Sequence, residues 1–279
     1  MRLYVNGVGN LVEGKYAEAS ADLESASRLD PGEAAVWRAY GEAQLRSGMV
    51  RNACAAYQRA AGVGDAGTLG SLTLARAAVE SGDHGAAARW VWPLLADERE
   101  RGDAGAMHAA DVVAAQAMWG LGYMKAGVEL NERGLNLPDR FGQPTSFRDE
   151  LLEVYRRRGD LWRATGEAAI GLGDFGGAER AFTQAARFPT PDPGAALPRR
   201  ILALMMQGRS AEAARAIVAD AGRSDRRLED RHLVLTGFVA RDSDERVGQA
   251  LREALEAEWR GRAGTATPTE RGAWARAIA

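Results

Sequence analysis

The chain repeats part of itself: the segment Trp-Arg-Ala-Tyr-Gly-Glu-Ala that begins at Trp37 returns as Trp-Arg-Ala-Thr-Gly-Glu-Ala at Trp162. Extended through Ala61 and Ala186, the two copies share 11 identities. A chain that repeats at a regular spacing folds as stacked copies of one supersecondary unit. The repeat therefore indicates the architecture before any single motif is considered.

A period of 34 residues underlies this duplication. A turn glycine, a small residue and a large apolar residue each recur three times in phase. The recurring positions are Gly14, Gly48 and Gly82; Ala19, Ala53 and Ala87; and Leu23, Tyr57 and Val91. Apolar residues on both sides of each glycine are spaced by three and four, as on one face of a helix. Each unit is therefore predicted to be two antiparallel helices joined at a glycine, with Ala53 and Ala178 packed between the two helices of their units.

The pattern resembles the tetratricopeptide repeat family, whose motif of about 34 residues has an early Trp or Leu, a small residue and an aromatic residue after a central turn. Gly173-Asp174-Phe175 is close to the family consensus at that turn, and Tyr16 has the same aromatic place in the first unit. The resemblance covers residues 1–222 and weakens in the third unit, where Ser71 and Ala75 replace the usual Trp and Gly. It implies an all-α fold, a right-handed superhelical α-solenoid of about six to seven repeats.

The predicted units cover most of the chain. The repeats span 1–33, 34–67, 68–101, 107–139, 159–192 and 194–224, followed by a degenerate helix pair at 225–262 and a tail at 263–279. The small-residue position continues as Ala126, Ala178 and Ala213, so the period slips. The spacing between Ala126 and Ala178 is much longer than the period, and the additional residues are too many for a turn.

An insertion at 140–158 is the predicted cause of the longest step. Ser146 followed by Asp149 is typical of a helix start. The preferred interpretation is an extra helix at 147–158, preceded by a loop at 139–145. The alternative is a single, longer first helix in the fifth unit.

Composition and charge exclude several classes of protein. With 279 residues, a net charge of −2 and a pI near 6.0, nothing draws the chain toward nucleic acid, and no nucleic-acid partner is predicted. No transmembrane segment and no signal peptide are visible, so a cytoplasmic location is expected, or a periplasmic one if an export signal was removed. The single Cys54 excludes an internal disulfide. Of the 36 lysines and arginines only Lys15 and Lys125 are lysine, a bias typical of a GC-rich bacterial genome.

No catalytic, cofactor or metal site is predicted, and we expect that the chain is not an enzyme. The strings Gly62–Gly67 and Gly171–Gly176 match G-x-G-x-x-G, but each lies between predicted helices, whereas a dinucleotide site needs a preceding strand. His84, His108 and His232 each stand without a second imidazole at helical spacing, and for the one pair that could share a helix face, His108 and Asp111, a capping or packing role is favoured over metal binding.

The family resemblance implies that the first helices of the units line a concave face that binds an extended or helical peptide. By phase, the candidate partner-binding residues are Arg38, Glu42, Arg76, Asp111, Met118, Trp119, Arg163 and Glu167. The i,i+4 pairs Arg38–Glu42 and Arg163–Glu167 have the alternative role of intrahelical ion pairs. Trp119 has the alternative role of a core residue at the end of its helix.

The favoured function is a non-catalytic protein–protein interaction scaffold or adaptor, because the recognisable residues serve packing. A protein or peptide partner is expected, and a homo-oligomer is left open. Two alternatives also stay open. One is a sensing or substrate-docking module of a larger regulator or transferase, and the other is an assembly factor for pili or polysaccharide secretion in the cell envelope.

Overall fold

The fold comes from a computed structural model, which describes residues 2–101, 104–136, 148–188, 196–221 and 245–262. These residues form helices and turns, with no strand among them. The Cα positions group into two compact units, Met1–Tyr155 and Arg156–Ala279, called here the amino-terminal and the carboxy-terminal unit. The predicted all-α fold is confirmed.

The helices follow one another with short connections. In the amino-terminal unit they are α1 (Arg2–Val12), α2 (Tyr16–Leu29), α3 (Ala34–Arg46), α4 (Val50–Val63), α5 (Gly67–Glu80), α6 (His84–Arg101), α7 (Ala104–Gly120) and α8 (Met124–Leu135). Helix α9 (Arg148–Gly171) begins in this unit and ends in the other. The carboxy-terminal unit continues with α10 (Phe175–Ala185), α11 (Ala196–Met206), α12 (Ser210–Ala221) and α13 (Glu245–Arg262).

Consecutive helices pack as pairs, and the pairs pack on one another. In the amino-terminal unit α1 contacts α2, α3 contacts α4, α5 contacts α6 and α7 contacts α8. Neighbouring pairs meet through α2 and α3, α4 and α5, and α6 and α7, and the first helices α1, α3, α5 and α7 also touch in sequence. In the carboxy-terminal unit α10 packs on α11, α11 on α12 and α12 on α13. Burial of one helix face against a partner and another against the next pair is what stabilises such a fold.

A glycine in the left-handed conformation ends the first helix of each pair. The series is Gly14, Gly48, Gly82, Gly122, Gly173 and Gly208, with φ between 72° and 85°. In every case the amide of the next residue donates to the carbonyl four residues before the glycine, at 2.8–2.9 Å. This six-to-one bond belongs to a Schellman motif, which a glycine closes without the strain that a Cβ brings at positive φ.

The turn glycines correct the predicted register of the fourth pair. Five residues after each of them lies a buried small residue, in the series Ala19, Ala53, Ala87, Gly127, Ala178 and Ala213. Ala53 and Ala178 are fully buried, as predicted. The prediction that Ala126 has this place in the fourth pair was wrong. It assumed that the recurring small residue is always alanine, whereas in the fourth pair this residue is Gly127. The turn glycine of this pair is Gly122, which shifts the register by one position from the predicted one.

The predicted separate helix at 147–158 is wrong, and the alternative is correct. Helix α9 runs unbroken for 24 residues from Arg148 to Gly171. Tertiary burial explains the difference, since Leu151, Val154 and Leu161 are all buried and hold the helix on both sides of Gly159.

Several other predictions concern residues outside the described ranges. The predicted loop at 139–145, helix at 225–241 and tail at 263–279 lie outside the described residues. The predicted last helix at 243–261 corresponds to α13.

Inside the helix pairs, large side chains on one helix pack over glycines on the other. The ring of Tyr57 on α4 lies over Gly41 of α3, where a Cβ would come within 2.8 Å of it, and also over Gly70 of α5. In the carboxy-terminal unit Phe182 covers Gly166, where a Cβ would come within 2.7 Å of the ring. Glycine on a first helix therefore makes room for a large ring on the second helix.

Candidate partner-binding face

The charged residues of α3 lie on the side of this helix that its core contacts leave open. Arg38, Glu42 and Arg46 are spaced by four residues and are partly exposed, whereas Ala43 is fully buried. Arg76 of the neighbouring α5 has the same position as Glu42, six residues before a turn glycine. We call the surface formed by Arg38, Glu42, Arg46 and Arg76 the first-helix face. It belongs to the amino-terminal unit.

Arg38 does not form the intrahelical pair with Glu42 that its spacing allows. Its Nη1 donates to Oδ2 of Asp65, just before α5, at 2.8 Å. The same side chain lies against Gly67, where a Cβ would come within 2.9 Å of Arg38 Cδ. Arg38 therefore joins α3 to the connection that precedes the next pair. An exposed pair of this kind stabilises the fold only slightly.

Glu42 and Arg46 belong to a denser group of charges. A guanidinium nitrogen of Arg46 lies 3.7 Å from a Glu42 oxygen, and another lies 3.9 Å from Oε1 of Glu150 in α9. Glu150 is buried, and so is Tyr57 below the group. Burial raises the pKa of the Tyr57 hydroxyl well above its ordinary value, and the negative charges of Glu42 and Glu150 add to this rise while Arg46 opposes it.

Arg76 differs from the other residues of the first-helix face. It is half-buried on α5, and it forms no ion pair with any residue that the structure describes. A guanidinium group stays charged at neutral pH and offers five donors. Arg76 is therefore the cation of this face that has not been neutralised within the described part of the chain.

Asp111 is not part of an open face, in contrast to the prediction. It is fully buried, and it accepts hydrogen bonds from the Nε of Arg133 at 2.6 Å and from the Nη2 of the same residue. These hydrogen bonds raise the pKa of the Arg133 guanidinium. The pair joins α7 to α8, so both carboxylate oxygens serve the fold.

Trp119 and Met118 are also held by the core of the fourth pair. The indole of Trp119 lies over Gly127 of α8, and its Nε1 is buried without a hydrogen-bond partner in the described structure. Met118 packs against the cluster that contains Val113 and Leu130. Trp119 is therefore partly exposed and packed within its helix pair, as its alternative role expects, and its part in partner binding stays a prediction.

Arg163 and Glu167 lie in the carboxy-terminal unit and form the intrahelical pair that their spacing allows. Arg163 Nη1 donates to Glu167 Oε1 at 3.1 Å, and another of its nitrogens is 3.7 Å from Asp160. Glu167 is also 2.9 Å from the Nε of Arg199 in α11. The two residues therefore belong to a half-exposed network that links α9 to α11.

Sequence reasoning missed Glu150 as a neighbour of Arg46 and Gly127 as the partner of Trp119. Glu150 has only the signal of an acidic residue near a helix start, which is also common on solvated helices. The turn-glycine spacing from Gly82 to Gly122 was the signal that pointed to Gly127.

Among the helices that the structure describes, none has an apolar stretch of the length that a membrane span requires. Within the same residues no three His, Cys, Asp or Glu side chains are grouped so that they could hold a metal ion.

Comparison with known proteins shows the fold and nothing finer. No family model matches the chain, and no curated protein matches it in sequence. Among solved structures it is similar to the C-terminal part of a TPR repeat-containing protein from Cytophaga hutchinsonii, at 10% identity and a TM-score of 0.51 over 96% of this chain and 98% of that one. It is also similar to a tetratricopeptide repeat protein from Parabacteroides merdae, at 16% identity and a TM-score of 0.46 over 100% and 98% of the two chains. The chain thus has a tetratricopeptide-like fold.

Proposed function

We propose that the chain is a non-catalytic scaffold or adaptor that binds a protein or peptide segment through the first-helix face. The observation that carries this proposal is Arg76, a half-buried guanidinium group of α5 that has no ion pair among the described residues. Arginine combines a large contact area with directed hydrogen bonds, and it is one of the residues that most often dominate protein interfaces.

The charges of the face define the chemistry of the partner. Arg38, Glu42 and Arg46 already have counter-charges at 2.8–3.9 Å, whereas Arg76 has none within the described residues. A carboxylate on the partner is the group that matches a guanidinium with two parallel hydrogen bonds. We therefore assign to the partner an acidic side chain or a chain terminus that pairs with Arg76.

A capture experiment with matched variants tests the proposal. The immobilised wild-type chain, Arg76→Glu and Arg59→Glu are compared for the proteins that they retain, identified by mass spectrometry. Arg59 is an exposed residue of α4 in the same unit, so its reversal changes the net charge equally without touching the face. We expect Arg59→Glu to retain the wild-type partner and Arg76→Glu to lose it, with both melting temperatures unchanged. Equal capture by both variants contradicts the proposed face.

The partner's affinity then quantifies the role of Arg76. In calorimetric titrations, loss of a dominant charged contact is expected to cost at least about 2 kcal/mol. The docking-module and envelope-assembly alternatives stay predictions, because both would use the same kind of binding face.

A further inference from the structure

The first turns of α9 pack in the amino-terminal unit as an amphipathic segment. Glu150, Leu151 and Val154 are buried, and Leu152 is exposed between them. The buried residues are spaced i, i+1 and i+4, so they share one face of the helix. One carboxylate and two apolar side chains are thus directed inward together.

The carboxylate of this segment lies at the first-helix face. Glu150 Oε1 is 3.9 Å from Arg46, and the two side chains are only 7% and 17% exposed. Arg46 also lies 3.7 Å from Glu42, so its charge is shared by at least these two acids. The start of α9 therefore covers the Arg46 end of the face.

These turns of α9 exceed the length that a helix pair needs. Helices α3 and α5, which end at the turns of Gly48 and Gly82, have 13 and 14 residues, whereas α9, which ends at the turn of Gly173, has 24 residues. The excess of about ten residues contains the buried segment. Helices α3 and α5 form their pairs without such an extension.

The fit of the segment to Arg46 is incomplete. A separation of 3.9 Å is longer than a charge-assisted hydrogen bond, and Glu150 Oε2 is buried without a hydrogen-bond partner in the described structure. A buried carboxylate oxygen that lacks a donor opposes the burial of the segment. A helix that places a carboxylate closer to Arg46 would bind the same surface better.

We propose that residues 150–154 are a resident ligand of the first-helix face, and that a partner helix with a carboxylate and two apolar residues at the same spacing displaces them. This inference rests on the proposed function, because it concerns the same face and adds the class of partner and its regulation. The resident segment lowers the apparent affinity for any partner that must displace it.

A peptide of residues 148–158 with a fluorescent label tests the proposal on the full chain. Anisotropy titrations compare the wild type with Glu150→Arg, which places two cations together and empties the site, and with Glu153→Arg, a matched reversal on the same helix. We expect Glu150→Arg to bind the peptide at least tenfold more tightly than the wild type, and Glu153→Arg to resemble the wild type. Amides of 150–156 should also exchange hydrogen faster in Glu150→Arg alone.

A charge exchange identifies the site. Arg46→Glu alone repels the resident Glu150, so this variant should lose affinity for the wild-type peptide, and it should bind a peptide that itself carries Glu150→Arg. Because reversal at a buried position can unfold a protein, Glu150→Gln is measured beside it, and an increase of at least threefold in affinity supports the proposal.

The opposing results are equally clear. Equal peptide affinity in the wild type, Glu150→Arg and Glu150→Gln overturns the proposal, and so does wild-type peptide binding that survives Arg46→Glu. A dimer that dissociates in Glu150→Arg assigns the segment to a second copy and overturns the form proposed here. The peptide assay needs no cellular partner, so its failure leaves the Arg76 capture result standing, and failure of that capture leaves the peptide result standing.

Discussion

The indole of Trp119 lies over Gly127, so closely that a Cβ at Gly127 would overlap the ring. Trp119 precedes its turn glycine by three residues, and Gly127 follows it by five. In the second pair the same two positions hold Leu45 and Ala53, which belong to one core cluster. A larger residue on α7 is therefore compensated by a smaller one on α8, so that the interior stays close-packed.

This compensation predicts a coupling between the two positions. Gly127→Ala should lower the free energy of unfolding by about 1–3 kcal/mol, because the added methyl group overpacks against the indole. Trp119→Leu together with Gly127→Ala restores the combination found in the second pair and should recover a large part of that loss. Urea unfolding of the wild type, the two single variants and the double variant measures the coupling. Additive effects of the two substitutions would show that the residues do not share one packing site.

A second prediction compares two helical glycines of the second pair. Gly41→Ala brings a Cβ within 2.8 Å of the Tyr57 ring and should destabilise the chain by about 1–3 kcal/mol. Gly62→Ala has no heavy atom within 4 Å of its new Cβ and should stabilise α4 by about 0.4–1 kcal/mol, since alanine restricts the unfolded chain. Chemical denaturation checks both values. A Gly41→Ala variant as stable as Gly62→Ala contradicts the packing of Tyr57.

A third prediction concerns the buried carboxylate of Asp111. Asp111→Asn removes the charge that accepts two hydrogen bonds from Arg133, and it should cost about 1.5–3 kcal/mol of stability. The matched control is Glu129→Gln on α8, whose 4.0 Å pair with Lys125 is exposed. It should change stability by less than about 0.5 kcal/mol. Equal melting temperatures for the two variants would mean that the buried pair contributes nothing.

A fourth prediction follows from the thiol of Cys54. Burial raises the pKa of this thiol above its ordinary value, and the negative charge of Glu80 adds to the rise. A raised pKa lowers the thiolate fraction at any pH below it, and the thiolate is the reactive form. Ellman's reagent should therefore react more slowly with the folded chain than with the chain in denaturant at pH 8, and the rate should rise with pH to a higher midpoint. Equal rates in the folded and denatured chains would contradict it.

Local sequence signals predicted the helix pairs because each signal acts within one turn or one helix. A glycine closes a Schellman motif wherever the chain must reverse, as at Gly48 and Gly173, and its spacing is legible without any knowledge of distant contacts. The buried small residues Ala53 and Ala178 follow from the same period. The all-α fold and its paired helices were therefore predictable.

The candidate site was predictable only in part. The position within the repeat placed Arg38, Glu42 and Arg76 on first helices, and it placed Asp111 and Trp119 there as well. A helical pattern does not distinguish a residue on the open side of a first helix from one that packs inside a helix pair. Asp111 is buried because Arg133 of the next helix neutralises it, and Trp119 packs inward because Gly127 makes room for it. Each outcome depends on a partner on another helix.

The sequence by itself determined the repeated helix pairs, their turns and the positions where small and large apolar residues recur. These features depend on backbone conformation and on spacing along one helix. Only the tertiary structure decided that α9 continues through Gly159, that Arg38 pairs with Asp65 and that Glu150 reaches Arg46. The physical reason is that charge pairing and burial depend on distances between helices. Residues 46 and 150 are far apart in the chain, and the spacing of the repeats does not predict that they are in contact.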